Sequence, residues 1–250
     1  MNKVTVIGLG YVGSAMSLVL AHCNNSKNKP YFNVTGLDLN TTEGKNRINK
    51  INNFEFPFKT NDLNIKKYLK KIKRQRNLKA EVFNTGVIKK SSTIVVSINF
   101  DHNKDFKLIK GNLKKYQDTF INIIENVKEG SLIILESTIP PGTTENLLLP
   151  LFYKILKTRK ISPNNIFLAF SYERVMPGKN YLNSIENNWR IYSGINRSSK
   201  KKCRNFLKKF INVKNFPLSE LENITAAETS KVLENSYRAT NIALIDEWVN

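Results

Sequence analysis

Residues 3–7 form a short apolar run rich in β-branched side chains, Val4, Val6 and Ile7 among them. This is the pattern of a strand buried in a sheet. Helical spacing begins at once over 11–22, a polar turn-rich loop covers 24–30, and a second apolar strand pattern over 32–38 ends in an acid, Asp38. The spacing next predicts a basic amphipathic helix over 63–78, with Ile65, Tyr68, Leu69 and Ile72 on one face. A strand over 93–98, a helix over 113–127 stopped by Gly130, and a strand over 132–136 follow. Then come a helix over 143–156, entered through Pro140-Pro141-Gly142, and a strand over 165–170. Strands alternating with helices in this way predict an α/β fold with a doubly wound parallel sheet.

Beyond residue 170 the periodicity changes. Residues 171–184, with Pro177-Gly178, read as a loop, 189–194 as a strand and 198–210 as a basic helix. Residues 222–249 read as one long helix of about seven turns. Its apolar residues fall on several sides (Val232, Leu233, Tyr237, Ile242, Leu244, Ile245, Trp248), so it needs a partner, and little chain is left to supply one.

Composition narrows the function classes. With 40% hydrophobic and 24% charged residues in 250, a packed core is expected. No run of about 18 apolar residues predicts a membrane span, and the N-terminus lacks a signal-peptide layout, so a cytoplasmic location is expected. Two cysteines and two histidines make neither a disulfide framework nor a metal centre. The net charge of +20 allows two readings: a nucleic-acid or membrane-surface binder, or drift in an A/T-rich genome. The 34 asparagines spread along the chain favour drift, because a polyanion-binding face would enrich Lys and Arg instead. No nucleic-acid or membrane partner is expected.

Gly8-Leu9-Gly10-Tyr11-Val12-Gly13 reads G-x-G-x-x-G between a predicted strand and a predicted helix. Gly8 would permit the tight turn, Gly10 the approach of a diphosphate to the backbone, and Gly13 close helix–strand packing. The helix N-terminus, at Tyr11 and Val12, offers free N–H groups to the phosphates. Asp38, ending the next strand, would accept hydrogen bonds from an adenosine ribose and repel a 2′-phosphate, which favours NAD over NADP. The expected fold is therefore a Rossmann-type domain over 1–212, followed by a strand and the start of a helical domain over 213–250.

Three further segments carry a resemblance. Glu136-Ser137-Thr138-Ile139-Pro140-Pro141-Gly142-Thr143-Thr144 resembles the E-S-T-V-P-P-G-T-T segment of the UDP-sugar 6-dehydrogenases, the UDP-glucose/GDP-mannose dehydrogenase family. Ser171-Tyr172-Glu173-Arg174-Val175-Met176-Pro177-Gly178 resembles their S/C-P-E-R-V-x-P-G segment, with Tyr172 where proline is usual. Ala227, Glu228, Lys231, Glu234, Asn235, Arg238, Asn241 and Glu247 match their A-E-x-x-K-x-x-E-N-x-x-R-x-x-N-I-A-x-x-N-E helix. The four motifs stand in the family's order. Arg174 to Gly178 is closer to enzymes acting on UDP-N-acetylaminosugars such as UDP-N-acetylmannosamine than to the glucose branch. The family's V-P-T-P-like loop is replaced here by Ser97-Ile98-Asn99-Phe100-Asp101.

The resemblance implies two NAD-dependent oxidations of a UDP-sugar C6 alcohol to a carboxylate through a cysteine-bound intermediate, for surface polysaccharide precursors. It also implies a dimer through the 222–249 helix and a C-terminal UDP-binding domain. Thr138 would position water and cofactor, Glu173 would act as general base, and Lys231 and Asn235 would stabilise charge on the reacting oxygen. Ser97 would border the cofactor. The blander alternatives are a turn-capping hydroxyl at Thr138, a Glu173–Arg174 pair, and a solvated helix face with a Glu234–Arg238 pair. The family's nucleophile lies downstream of the long helix, and neither Cys23 nor Cys203 matches its motif. This chain alone is thus expected to be inactive, with a separately encoded C-terminal domain as one remedy. The alternative function is a non-catalytic NAD-binding or regulatory module.

Overall fold

The computed structural model describes residues 2–98, 100 and 106–249, with only the backbone at 106–111. Asn99 and Asp101, in the loop compared above, lie outside the described residues. Strands β1 (Asn2–Ile7), β2 (Phe32–Asp38), β3 (Leu78–Val82), β4 (Thr93–Val96), β5 (Leu132–Leu135), β6 (Phe167–Phe170), β7 (Arg190–Gly194) and β8 (Leu218–Glu220) form one sheet. Its order is β3-β2-β1-β4-β5-β6-β7-β8. Every pairing is parallel except β6–β7.

The period-two alternation of the strands splits the core between two faces. Val4, Val6, Val34, Val95, Ile134 and Ala169 point to one side. There they meet α1 (Tyr11–His22), α2 (Thr42–Asn52), α3 (Leu63–Gln75), α7 (Asn183–Glu186) and α8 (Arg197–Leu207) through residues such as Leu18, Ile48, Ile72, Ile185 and Phe206. Ile7, Ile94, Val96, Ile133, Leu135, Leu168 and Phe170 point to the other. They pack on α4 (Thr85–Lys90), α5 (Phe106–Asn126), α6 (Leu149–Thr158) and the first turns of α9 (Ile224–Val249). The strands are near-continuously apolar because both faces of the sheet are covered.

The structure revises several boundaries. The helix predicted over 63–78 stops at Gln75: Arg76 takes a left-handed cap at φ 50°, and the chain turns into edge strand β3. Buried Asn77 holds that corner by donating to the carbonyls of Ala21 and Phe32. Helices α2 and α4 had no expectation, because each buries only a few side chains; Thr41 and Asn84 cap them. The helix predicted over 143–156 begins as a π-helical turn, Thr144–Leu148, before α6. Pro150 lacks the N–H that a regular helix would need there. Among the described residues no helix is long and apolar enough to cross a membrane.

Candidate functional site

β1 is flanked by β2 on one side and β4 on the other, so the crevice at their carboxyl ends is a topological switch point. Gly8 opens it with φ +90°, and a Cβ there would sit 2.6 Å from the carbonyl oxygen of Ser97 at the end of β4. A Cβ on Gly13 would sit 1.8 Å from the Gly8 carbonyl oxygen. At Gly10 the space is open to 4 Å. Gly10 is also the N-cap of α1 and brings no capping side chain, so the first-turn amides of Tyr11 and Val12 are left for another acceptor. This cradle fits a diphosphate: two glycines are filled by protein and one faces free space.

Asp38 lies buried at the end of β2. Its Oδ1 accepts the Leu39 N–H at 2.8 Å and its Oδ2 the Arg47 Nε–H at 2.6 Å. A carboxylate has about four acceptor positions, so it retains capacity for ribose hydroxyls. Nothing in the spacing of a polar helix announces Arg47. Tyr11 is exposed and stacks on Phe58, centroids 4.0 Å apart, while its carbonyl accepts from the Tyr181 hydroxyl at 2.7 Å.

Ser97, Thr138 and Glu173 lie just past the carboxyl ends of β4, β5 and β6. The Ser97 hydroxyl donates to Glu136 Oε2 at 3.2 Å. Glu136 is buried and paired with Arg190, Nη1 to Oε1 3.2 Å, and the same nitrogen donates to the Tyr172 carbonyl at 2.8 Å. Burial pushes the Glu136 carboxyl up to about 7, against the lowering by Arg190. Thr138 is half-buried.

Lys231, also buried, donates from Nζ to the Glu173 backbone carbonyl at 2.9 Å and stands 3.7 Å from its carboxylate Oε1. Its ammonium lies 5.0 Å from the Tyr172 ring centroid. The other Glu173 oxygen accepts the Val175 N–H. Arg174 pairs with Glu234 at 2.8 Å, so the Glu173–Arg174 and Glu234–Arg238 pairs give way to contacts between the loop and α9. Asn235, one turn past Lys231, is exposed. The structure thus brings Glu173 and Lys231 together and leaves Asn235 on the outer stretch of α9. Fully buried Glu228 accepts the N–H groups of Gly142 at 2.6 Å and Thr144 at 3.0 Å, tying the Pro-Pro-Gly turn to α9.

Neither cysteine resembles an activated thiol. Cys203 is fully buried in α8, which pushes its pKa up. Burial pushes Cys23 up to about 11, and its thiol donates to the Lys209 carbonyl at 2.8 Å.

Sheet order, glycine cradle and strand-end acid together define a dinucleotide-binding domain of the dehydrogenase type. The chain belongs to the UDP-glucose/GDP-mannose dehydrogenase family: residues 2–211 match that family's NAD binding domain, which makes NAD its cofactor. It is 30% identical over 247 residues to the UDP-N-acetyl-D-mannosamine dehydrogenase of Methanococcus vannielii, covering 99% of this chain and 50% of that protein. It is 28% identical to the enzyme of that name from Campylobacter jejuni, covering 98% of this chain and 56% of that one. Among solved structures, the NDP-N-acetyl-D-galactosaminuronic acid dehydrogenase of Methanosarcina mazei Go1 superposes with TM-score 0.77 at 26% identity, covering 99% of this chain and 49% of that one. The chain spans about half the length of the curated relatives it matches.

Proposed function

We propose that this chain is the NAD-binding half of a UDP-sugar 6-dehydrogenase, acting on the C6 alcohol of a UDP-N-acetylaminosugar, with UDP-glucose as the alternative. The observation that carries the reading is a buried lysine held against the Glu173 loop, beside a crevice whose glycine cradle fits a diphosphate. Bound NAD would supply the hydride acceptor. Lys231 offers a fixed positive charge, and its ammonium has three donors of which the Glu173 carbonyl and carboxylate engage at most two. It would stabilise negative charge on the reacting oxygen, with Asn235 assisting from the next turn. Glu173 would take a proton from water as general base, and Thr138 would position that water and the cofactor.

The second oxidation needs a covalent nucleophile, and a buried and a half-buried thiol, both of raised pKa, are poor candidates. We assign that role to a cysteine outside these 250 residues, whether on the same chain or a separately encoded domain. The exposed apolar residues of α9 beyond Lys231, from Leu233 to Trp248, support a dimer contact. The purified chain should form no NADH from UDP-N-acetylmannosamine. Fused to the C-terminal half of the Methanococcus vannielii relative it should form NADH, and Lys231→Met should abolish this. A fusion that binds NAD yet oxidises no UDP-sugar contradicts the proposal.

A further inference from the structure

The buried Glu136–Arg190 pair has no part in the proposed chemistry, yet it stands where three strands end and a fourth begins. Arg190 opens β7, which runs antiparallel to β6, so the start of β7 lies at the same edge of the sheet as the ends of β4, β5 and β6. One nitrogen, Nη1, bridges Glu136 beyond β5 and the Tyr172 carbonyl beyond β6. The second Glu136 oxygen takes the Ser97 hydroxyl beyond β4. Ser97 in turn presents its carbonyl to Gly8, where only a glycine fits. A continuous path therefore runs from the phosphate-binding turn through Ser97, Glu136 and Arg190 to Tyr172. The next residue, Glu173, gives its carbonyl to Lys231.

A buried ion pair of this kind is a weak source of stability, because desolvation offsets most of the attraction. Apolar side chains of the same volume would fill the space at least as well, so the pair needs another reason to be there. We infer that Glu136 and Arg190 are positioning residues: the ionised pair sets the spacing between the Gly8 turn and the Glu173 loop, and so the grip of the crevice on NAD. This rests on the NAD-binding reading of the cradle.

The groups facing Glu136 are few. Arg190 comes from β7, Ser97 from the end of β4, Glu173 from the loop after β6 and Cys203 from α8, while Lys231 of α9 reaches Glu173. Burial and the Glu173 charge place the ionisation of Glu136 near neutrality. The pair should thus pass from loose to fully charged between about pH 6 and pH 8.5.

The test is calorimetric titration of NAD into the full 250-residue chain across that range, with Glu136→Gln, Arg190→Lys and Arg190→Met beside wild type. Wild-type affinity should rise by roughly tenfold with pH, the equivalent of one pK unit. Glu136→Gln keeps the shape of the acid and should bind NAD with a flat profile at the weaker, low-pH level. Arg190→Lys should recover part of the pH dependence and Arg190→Met none. Should Arg190→Met fail to fold, wild type against Glu136→Gln still decides. Matching pH profiles in those two proteins would overturn the inference and leave NAD binding intact. A wild-type chain that binds no NAD at any pH would overturn both.

Discussion

Alanine at Gly10 and at Gly13 should separate binding from folding within one turn. At Gly13 the new Cβ would stand 1.8 Å from the Gly8 carbonyl oxygen and 3.3 Å from Val6 Cγ1, so α1 must withdraw by about 1.6 Å to reach the 3.4 Å of ordinary contact. Overpacking against backbone costs up to about 3 kcal/mol. For a chain of this size that lowers Tm by roughly 6–12 °C. At Gly10 nothing lies within 4 Å and φ is −65°, open to any residue. Losing the preference for glycine over alanine at an N-cap costs at most about 1 kcal/mol, roughly 2–4 °C. The methyl group would instead occupy the approach to the first-turn amides. Charge-assisted hydrogen bonds are worth about 1.5–3 kcal/mol each, so NAD affinity should fall by about 100-fold. Thermal melts and NAD titrations of both variants give the two readings. Wild-type NAD affinity in Gly10→Ala, or a wild-type Tm in Gly13→Ala, would refute the reasoning.

Other outcomes follow from the same contacts. Asp38→Ser should relax the preference for NAD, raising affinity for NADP by about tenfold relative to NAD, because Arg47, 2.6 Å from the carboxylate, becomes free for a 2′-phosphate; competition titrations of the two dinucleotides check this. Glu136 holds its proton up to about 7 in the folded state against an ordinary 4.5, so its contribution to stability is full below pH 4.5 and lost as pH rises through 7. Urea unfolding should show about 3 kcal/mol of decline over that window that Glu136→Gln lacks. Glutamate at both Ile242 and Trp248, two exposed apolar residues of α9, should abolish the proposed dimer in light scattering without lowering NAD affinity.

The proposed cofactor cradle is legible in the sequence because its chemistry is local. Gly8 to Gly13 and Asp38 sit on consecutive elements, and the unbroken apolar runs of β1 and β2 fix where those elements end. The residues proposed for catalysis are legible only as residue types. Spacing put Lys231 and Asn235 on one face of a helix, but α9 leaves the sheet after Lys231, so one side chain is buried and the other is not. Partners distant in the chain left no trace in the pattern: Arg190 lies 54 residues from Glu136, and Phe58 reaches Tyr11 from the far side of α2. Helix α2 leaves no apolar stripe in the sequence, because Ile48 and Ile51 are the only large apolar side chains that it buries.

Titration of the purified chain with NAD tests the account most directly. Saturable binding that weakens by about 100-fold in Gly10→Ala, with the fold retained by circular dichroism, is the predicted result. A folded wild-type chain that takes up no NAD at millimolar concentration would contradict it.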